Sequence, residues 1–443
     1  MYGYHFRNWA QTYECHPEKY FEPKSIDDLR LILNKAQDDG KKIRIVGCGH
    51  SPSDLCCTNE ILISTRKFNQ ILNLDEDKNI ISAETGVLLK DLVEYLKAHN
   101  LALSVLPAIG DLTVGGVVST CTHGSGAEYP VLADLLVGLT LLTIDGQLVK
   151  CSRHENSDIF HAACGGLGTL GIIIQLDFQC ETYFNLKHLR YPLKFEDFVN
   201  SIDELCQESD HFKANYYPHT DRVICSSINR SKVKPNGRSS SLVRRSIDWF
   251  WSVFMLVHVF EFFYFISLYI PYLVKYVNRI AYRLFLSDMD YSIDGYERIA
   301  FFNCLFHQYV SEWTVQRSKC GEALRRLRSL IESKHIPAHF PVEIRFIRRD
   351  QFWLSPAYER DICCINIISY CPYGKNQNHE EYWRSFGEIM KSMDGRPHLA
   401  KDHTMTKDDM KMAYPKFEDF QKLRAKMDKK NTFVNEYIER VFG

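Results

Sequence analysis

Apolar positions follow two different periods along the chain. Ile26, Leu29, Ile32, Leu33 and Ala36 recur at helical spacing, predicting an amphipathic helix. Ser25 precedes it as a good N-cap, Asp28 supports the first turn, and Gly40 ends it. Leu89, Leu92, Val93 and Leu96 predict a second helix over 88–99. Short apolar runs at 43–46, 61–64, 80–83 and 172–176 read as strands, and 157–164 reads as helical. This alternation describes a small α+β unit over 17–184, ending near Glu181–Phe184. A lead-in of residues 1–16 precedes it, with Phe6, Trp9 and Tyr13 available to pack on a later part of the chain. Residues 185–443 form the remainder. Strands are predicted there at 189–192, 223–226, 339–346 and 362–370, and helices at 195–206 and 382–393.

Two stretches break the pattern. Lys232–Arg245 is basic, Ser-rich and interrupted by Pro235-Asn236-Gly237, which reads as an exposed linker. Residues 246–286 hold the most hydrophobic run, broken by Asp248, His258, Glu261 and Pro271. A spanning helix needs about 20 predominantly apolar residues and tolerates central charge poorly. Interfacial attachment therefore fits better than a clean span. Trp249, Trp251, Tyr264, Tyr269 and Tyr272 suit a bilayer interface, and Arg244, Arg245, Lys275, Arg279 and Arg283 could meet anionic lipid. A buried helical pair is the alternative.

At 443 residues the chain is long enough for two or three domains. With 45% hydrophobic residues, 27 Phe and 24 Tyr, a large core follows and disorder does not. The net charge of −1 supplies no basic field for nucleic acid. Fifteen cysteines occur without any C-x-x-C, so no zinc ribbon or thioredoxin-like site is signalled, and the odd count favours free thiols. The N-terminus lacks the apolar core of a cleaved secretory signal.

Candidate chemistry gathers in four places. Val46–Asp54, VGCGHSPSD, follows a predicted strand and sets His50 among Gly47, Cys48, Gly49 and Ser51. Glycines there allow positive φ and close approach of backbone to a ligand, and successive N–H groups can cradle phosphate. Gly110–Gly126 is dense in Gly, Ser and Thr around a short helix at 114–120, with His123 near its end. Gly166–Gly171 formally matches the dinucleotide fingerprint, but a helix precedes it and a strand follows. That order is inverted, so a nicotinamide site is rejected. Glu343 and Arg345 lie two apart on a predicted strand and share a face. They form either a structural ion pair or a pair able to bind and polarise a hydroxyl. His398 and His403 could suggest a metal pair, but no third ligand is spaced for it, and no metal is expected.

The His50 loop, the Gly110–Gly126 stretch about 60 residues on, the Glu343-x-Arg345 strand and His398-Leu399-Ala400-Lys401 together resemble the aldonolactone oxidoreductases of the vanillyl-alcohol-oxidase-type FAD family. The resemblance runs from Phe6-Arg7-Asn8-Trp9 to the last residues. It implies an α+β, two-domain PCMH-type FAD-binding fold with a C-terminal substrate or cap domain, and FAD held covalently through His50. It further implies cofactor contacts from Val46, Gly47, Cys48, Gly49, Ser51, Thr113, Gly116, Ser119, Thr120, His123, Gly171 and Ile172. Glu343, Arg345 and Lys401 become the catalytic residues, although Leu399 stands where the family has tryptophan and Cys121-Thr122-His123 departs from related patterns. The implied reaction oxidises an aldono-1,4-lactone of the gulonolactone type with O2, giving H2O2 and an ascorbate-type product. A dehydrogenase passing electrons to cytochrome c or another acceptor is the alternative within the family. A non-catalytic membrane-associated scaffold is the alternative outside it. Animal members of the family imply a lipid-membrane partner and residence in the endoplasmic reticulum (microsomal) membrane.

Overall fold

The computed structural model describes residues 3–233, 235, 258–285, 288–302 and 306–443. Most of the predicted linker, and the first part of the apolar stretch with Trp249, Trp251, Arg244 and Arg245, lie outside the described residues.

Two sheets, one of three strands and one of five, frame the first half of the chain. Lys19–Phe21, Ile61–Ser64 and Ile43–Val46 pair in parallel in that order. The helix Ile26–Asp38 crosses over between the first and last of them and buries Leu29, Leu33 and Ala36 against the sheet. Its start is a full capping box, in which Ser25 and Asp28 each accept the other's backbone N–H. The second sheet is antiparallel, in the order Leu148–Cys151, Leu136–Leu142, Ile172–Gln179, Ile80–Glu84, Ile71–Asp75. The helix Ser157–Ala163 precedes Ile172–Gln179, so the glycine turn between them leads from helix into strand, as expected.

At Asn185 the chain enters an eight-stranded antiparallel sheet. Its central strands run His211–Tyr217, Val342–Ile347, Ile362–Tyr370, Gln308–Gln316. Helices Phe195–Asn200, Cys320–Ser333 and Glu380–Lys391 bury apolar residues in the large core on one face. Side chains alternate along each strand. Val342, Ile344 and Phe346 are fully covered, while Glu343 and Arg345 turn to the opposite face. In register beside them lie Lys213 and Asn215 on one neighbour and Cys364 and Asn366 on the other.

Three local expectations change. The strand foreseen at 339–346 begins only at Val342, because Pro341 has no N–H to give a ladder. The helix foreseen at 195–206 is two short helices that meet at Ser201. The strands at 189–192 and 223–226 lengthen to Asn185–Lys194 and Arg222–Ser231, a ten-residue antiparallel pair. The C-terminal segment returns to the first half. Asn435 donates to the Cys57 carbonyl at 2.7 Å, and Arg440 makes two 3.0 Å bonds to Asp54, bracing the turn after His50. Fourteen cysteines among the described residues carry free thiols.

Candidate active site

The strand Ile43–Val46 delivers the His50 loop to the edge of a cavity of about 270 Å³. Gly49 adopts φ +67°, in the left-handed region. At Gly47 a side chain would strike the Thr113 hydroxyl, so this glycine lets the two glycine-rich stretches touch. They form one wall together with the turn before Ile172. Gly47, Cys48, Gly49, His50, Ser51, Thr113, Gly116, Ser119, Thr120, His123, Gly171 and Ile172 all line the cavity. Val46 does not. Its side chain packs in a separate cluster with Phe6, Cys15, Tyr20 and Leu62, because alternation along the strand turns it to the other side.

His50 stacks on Trp9 with ring centroids 5.3 Å apart and planes 15° from parallel. The lead-in segment thus packs on the His50 loop through Trp9. Through Tyr13 it also reaches the sheet, edge-on to Tyr309. The His50 Nδ1 atom is buried without a hydrogen-bond partner among the described residues. Burial lowers the His50 pKa, opposed by Asp111, and keeps the imidazole neutral. An unpartnered buried nitrogen costs about 1–3 kcal/mol, a cost removed when a ligand engages it.

The other wall is the polar face of the eight-stranded sheet. Arg345 donates from Nη2 to Glu343 Oε1 at 2.6 Å, with side-chain exposures of only 11% and 15%. Against the upward push of burial, Arg345 and Lys213 lower the Glu343 pKa, and Glu343 raises that of Arg345. Arg345 Nε and Asn366 Oδ1 are buried and unpartnered, so one donor and one acceptor remain for a ligand. Beside them Glu312 accepts from His123 Nε2 at 2.9 Å and from Lys401 Nζ at 2.8 Å. Lys401 and His123 hold the buried Glu312 well below the usual carboxylate range. His398, whose ring centroid is 5.5 Å from that of His123, is pushed down to about 3 by burial and is neutral. Its Nδ1 accepts the Ala400 N–H, while His403 bonds the Tyr437 hydroxyl, so these two histidines do not act as a pair.

Sequence reading brought together Glu343, Arg345, Lys401 and His50. It missed Glu312 and Asn366. Glu312 sits in the strand Gln308–Gln316, and only its alternation with Trp313 and Val315 signals a side chain aimed away from the core. Glu312 and His123 also approach Cys364, their ligand atoms lying within 4.8 Å of one another. Lys401 already occupies the second carboxylate oxygen of Glu312.

A cavity with backbone and hydroxyls on one wall, two buried acid–base pairs on the other and an unpartnered neutral imidazole at its edge fits an isoalloxazine dinucleotide. The fold agrees. The chain superposes on cholesterol oxidase from B. sterolicum with a TM-score of 0.81 at 16% identity, covering 99% of this chain and 96% of that one. Residues 17–152 match the FAD binding domain family. The fold and site therefore define a PCMH-type FAD-dependent oxidoreductase. Residues 176–441 match the D-arabinono-1,4-lactone oxidase family. The chain is 39% identical to L-gulonolactone oxidase of Scyliorhinus torazame and 38% identical to that of Mus musculus, each over 99% of this chain and 98% of the relative. It belongs to the family of flavin-dependent aldonolactone oxidases.

Proposed function

We propose that the chain oxidises an aldono-1,4-lactone of the L-gulonolactone type at a carbon bearing a hydroxyl, with O2 as acceptor, yielding H2O2 and an ascorbate-type product. We further propose that FAD is held covalently through His50, whose neutral ring and unpartnered Nδ1 suit attachment. When bound, FAD supplies the two-electron acceptor. The chain's own residues do the rest. The Glu343 carboxylate accepts hydrogen bonds from lactone hydroxyls and orients the ring. Arg345 offers its free Nε–H to the oxygen that gains negative charge as its proton leaves, an electrostatic stabilisation that grows toward the transition state. Asn366 Oδ1 accepts a further hydroxyl. Lys401 and His123 both hydrogen-bond Glu312, which fixes the Lys401 ammonium group beside the cofactor loops. The buried Glu343–Arg345 pair, which lines the cavity and keeps an unpartnered Nε–H, carries this reading.

Purified, FAD-loaded protein given L-gulono-1,4-lactone should consume O2 and release H2O2 in equal amounts. Turnover with cytochrome c and without O2 uptake would change the acceptor. No turnover with any aldonolactone would overturn the reading.

We extend the proposal to location, as a peripheral association with the endoplasmic-reticulum membrane. Among the described residues no helix is long and apolar enough to cross a membrane. The helix Val274–Phe285 instead has two apolar stripes. Val274, Val277 and Ala281 are buried, whereas Tyr276, Ile280 and Leu284 are exposed beside Tyr272. Exposed Phe262 and Phe263 on the neighbouring helix Phe260–Ser267 add to the apolar surface. Such surfaces bind the headgroup boundary in proportion to buried apolar area. The protein should float with vesicles containing anionic lipid, and Ile280→Glu with Leu284→Glu should leave it in the soluble fraction with its lactone activity intact.

A further inference from the structure

The charges along the polar sheet face do not cancel. Arg345 is matched by Glu343 and Lys401 by Glu312. Lys213 stands directly opposite Arg345 on the adjacent strand His211–Tyr217, and directly opposite residues share a sheet face. Among the described residues no carboxylate lies within 4.0 Å of its ammonium group. Its nearest described aromatic partner is Phe302, whose ring centroid is 5.8 Å away and which also lines the main cavity. Burial and the Arg345 charge both work against the Lys213 ammonium, and Glu343 only partly offsets them. A cation held in that place lacks its anion.

The space around it explains what could supply one. A second cavity of about 50 Å³ is bounded by Lys213 and Arg345, with the Ser104 and Ser125 segments beside them. It shares Arg345, Pro107 and Ala108 with the main cavity, so the two adjoin at the guanidinium. There is room for a carboxylate-sized group and not for a second sugar ring.

We propose that Lys213 and Arg345 form a two-cation subsite at the end of the substrate cavity that takes the carboxylate of a ring-opened aldonate, the hydrolysed form of the lactone. This rests on the lactone reading above. The neutral lactone leaves Lys213 unmatched and can turn over. The aldonate monoanion places its carboxylate between the two cations, where planar guanidinium and ammonium donors both reach it, and so competes with the lactone. Lys213 is thus a specificity-determining residue, and the enzyme senses the ratio of lactone to open acid.

The test compares L-gulonate with an uncharged hexitol as ligands of the FAD-loaded protein. Competitive inhibition and perturbation of the flavin spectrum are both measured. Gulonate should bind at least tenfold more tightly than the hexitol. Lys213→Met should weaken gulonate at least tenfold while moving the hexitol constant and the lactone KM less than threefold, and Lys213→Arg should restore gulonate binding. Gulonate no tighter than the hexitol in the unmodified protein would overturn the subsite. Equal weakening of both ligands in Lys213→Met would make Lys213 merely structural and would also overturn it. The spectral titration gives its answer even if no lactone is oxidised, so failure of the subsite and failure of the lactone reading are distinguishable.

Discussion

Arg345→Met should lower kcat/KM for the lactone by about a hundred- to a thousandfold, with most of the loss in kcat. Removing one preorganised donor from the oxygen that gains charge typically costs about that much. The methionine fills nearly the same volume, so packing is kept while the charge and the spare Nε–H are lost. Glu343 is then left in a buried site with Lys213 as the largest remaining cationic influence on it. Breaking a buried pair from one side costs about 3–5 kcal/mol of stability. In the intact protein the folded-state Glu343 pKa is lowered, so its stabilising contribution is present above the unfolded carboxyl value and is lost as pH falls through the folded value. Without Arg345 burial dominates and raises that pKa, which reverses the sign. The stability lost by the variant should therefore be larger at pH 7 than at pH 4. The double variant Glu343→Gln with Arg345→Met should lose less than the two single effects combined, because the pair acts as a unit. Steady-state kinetics with thermal unfolding at both pH values checks this. A variant that changes only KM would mean that Arg345 binds the ground state and does not serve the chemistry.

What could be read from the sequence follows from the range of the interactions involved. The His50 loop is local. Two glycines and a histidine within four residues after a strand already imply backbone approaching a ligand, and Gly47 is indeed where Thr113 comes into contact. Glu343 and Arg345 are legible for the same reason, since strand alternation alone sets them on one face. The inverted order around Gly166–Gly171 is also local, and the helix before and strand after it are as read. Glu312 and Lys213 are different. Their partners lie across the sheet or in distant loops. Lys401 is 89 positions and His123 189 positions from Glu312, and no period connects them. The antiparallel order that puts His211–Tyr217 beside Val342–Ile347, and Ile362–Tyr370 between that strand and Gln308–Gln316, is a long-range pairing invisible to a window of a few residues. Val46, the last strand residue, obeys alternation and turns its side chain away from the cavity, a distinction that reading loop and strand as one unit does not make.

Substituting His50 by alanine separates attachment from binding. With the unmodified protein, acid precipitation should leave flavin in the pellet, on the peptide that contains His50. In His50→Ala the flavin should be released to the supernatant, while folded protein still takes up FAD, because the remaining cavity wall is intact. Tm should then rise with added FAD, by the equivalent of about 2.7 kcal/mol at a hundred times Kd, whereas the unmodified protein should show no such dependence. Lactone turnover should fall about tenfold or more as the ring loses its tether and an imidazole-sized space opens beneath Trp9. Cys48 is the competing nucleophile in the same loop. Burial raises its thiol pKa, which keeps it protonated and a poor nucleophile near neutral pH. Acid-stable flavin persisting in His50→Ala would transfer the attachment to another side chain, and a flavinylated Cys48 peptide would identify it. Flavin released by acid from the unmodified protein would retain the flavoenzyme and remove the covalent bond.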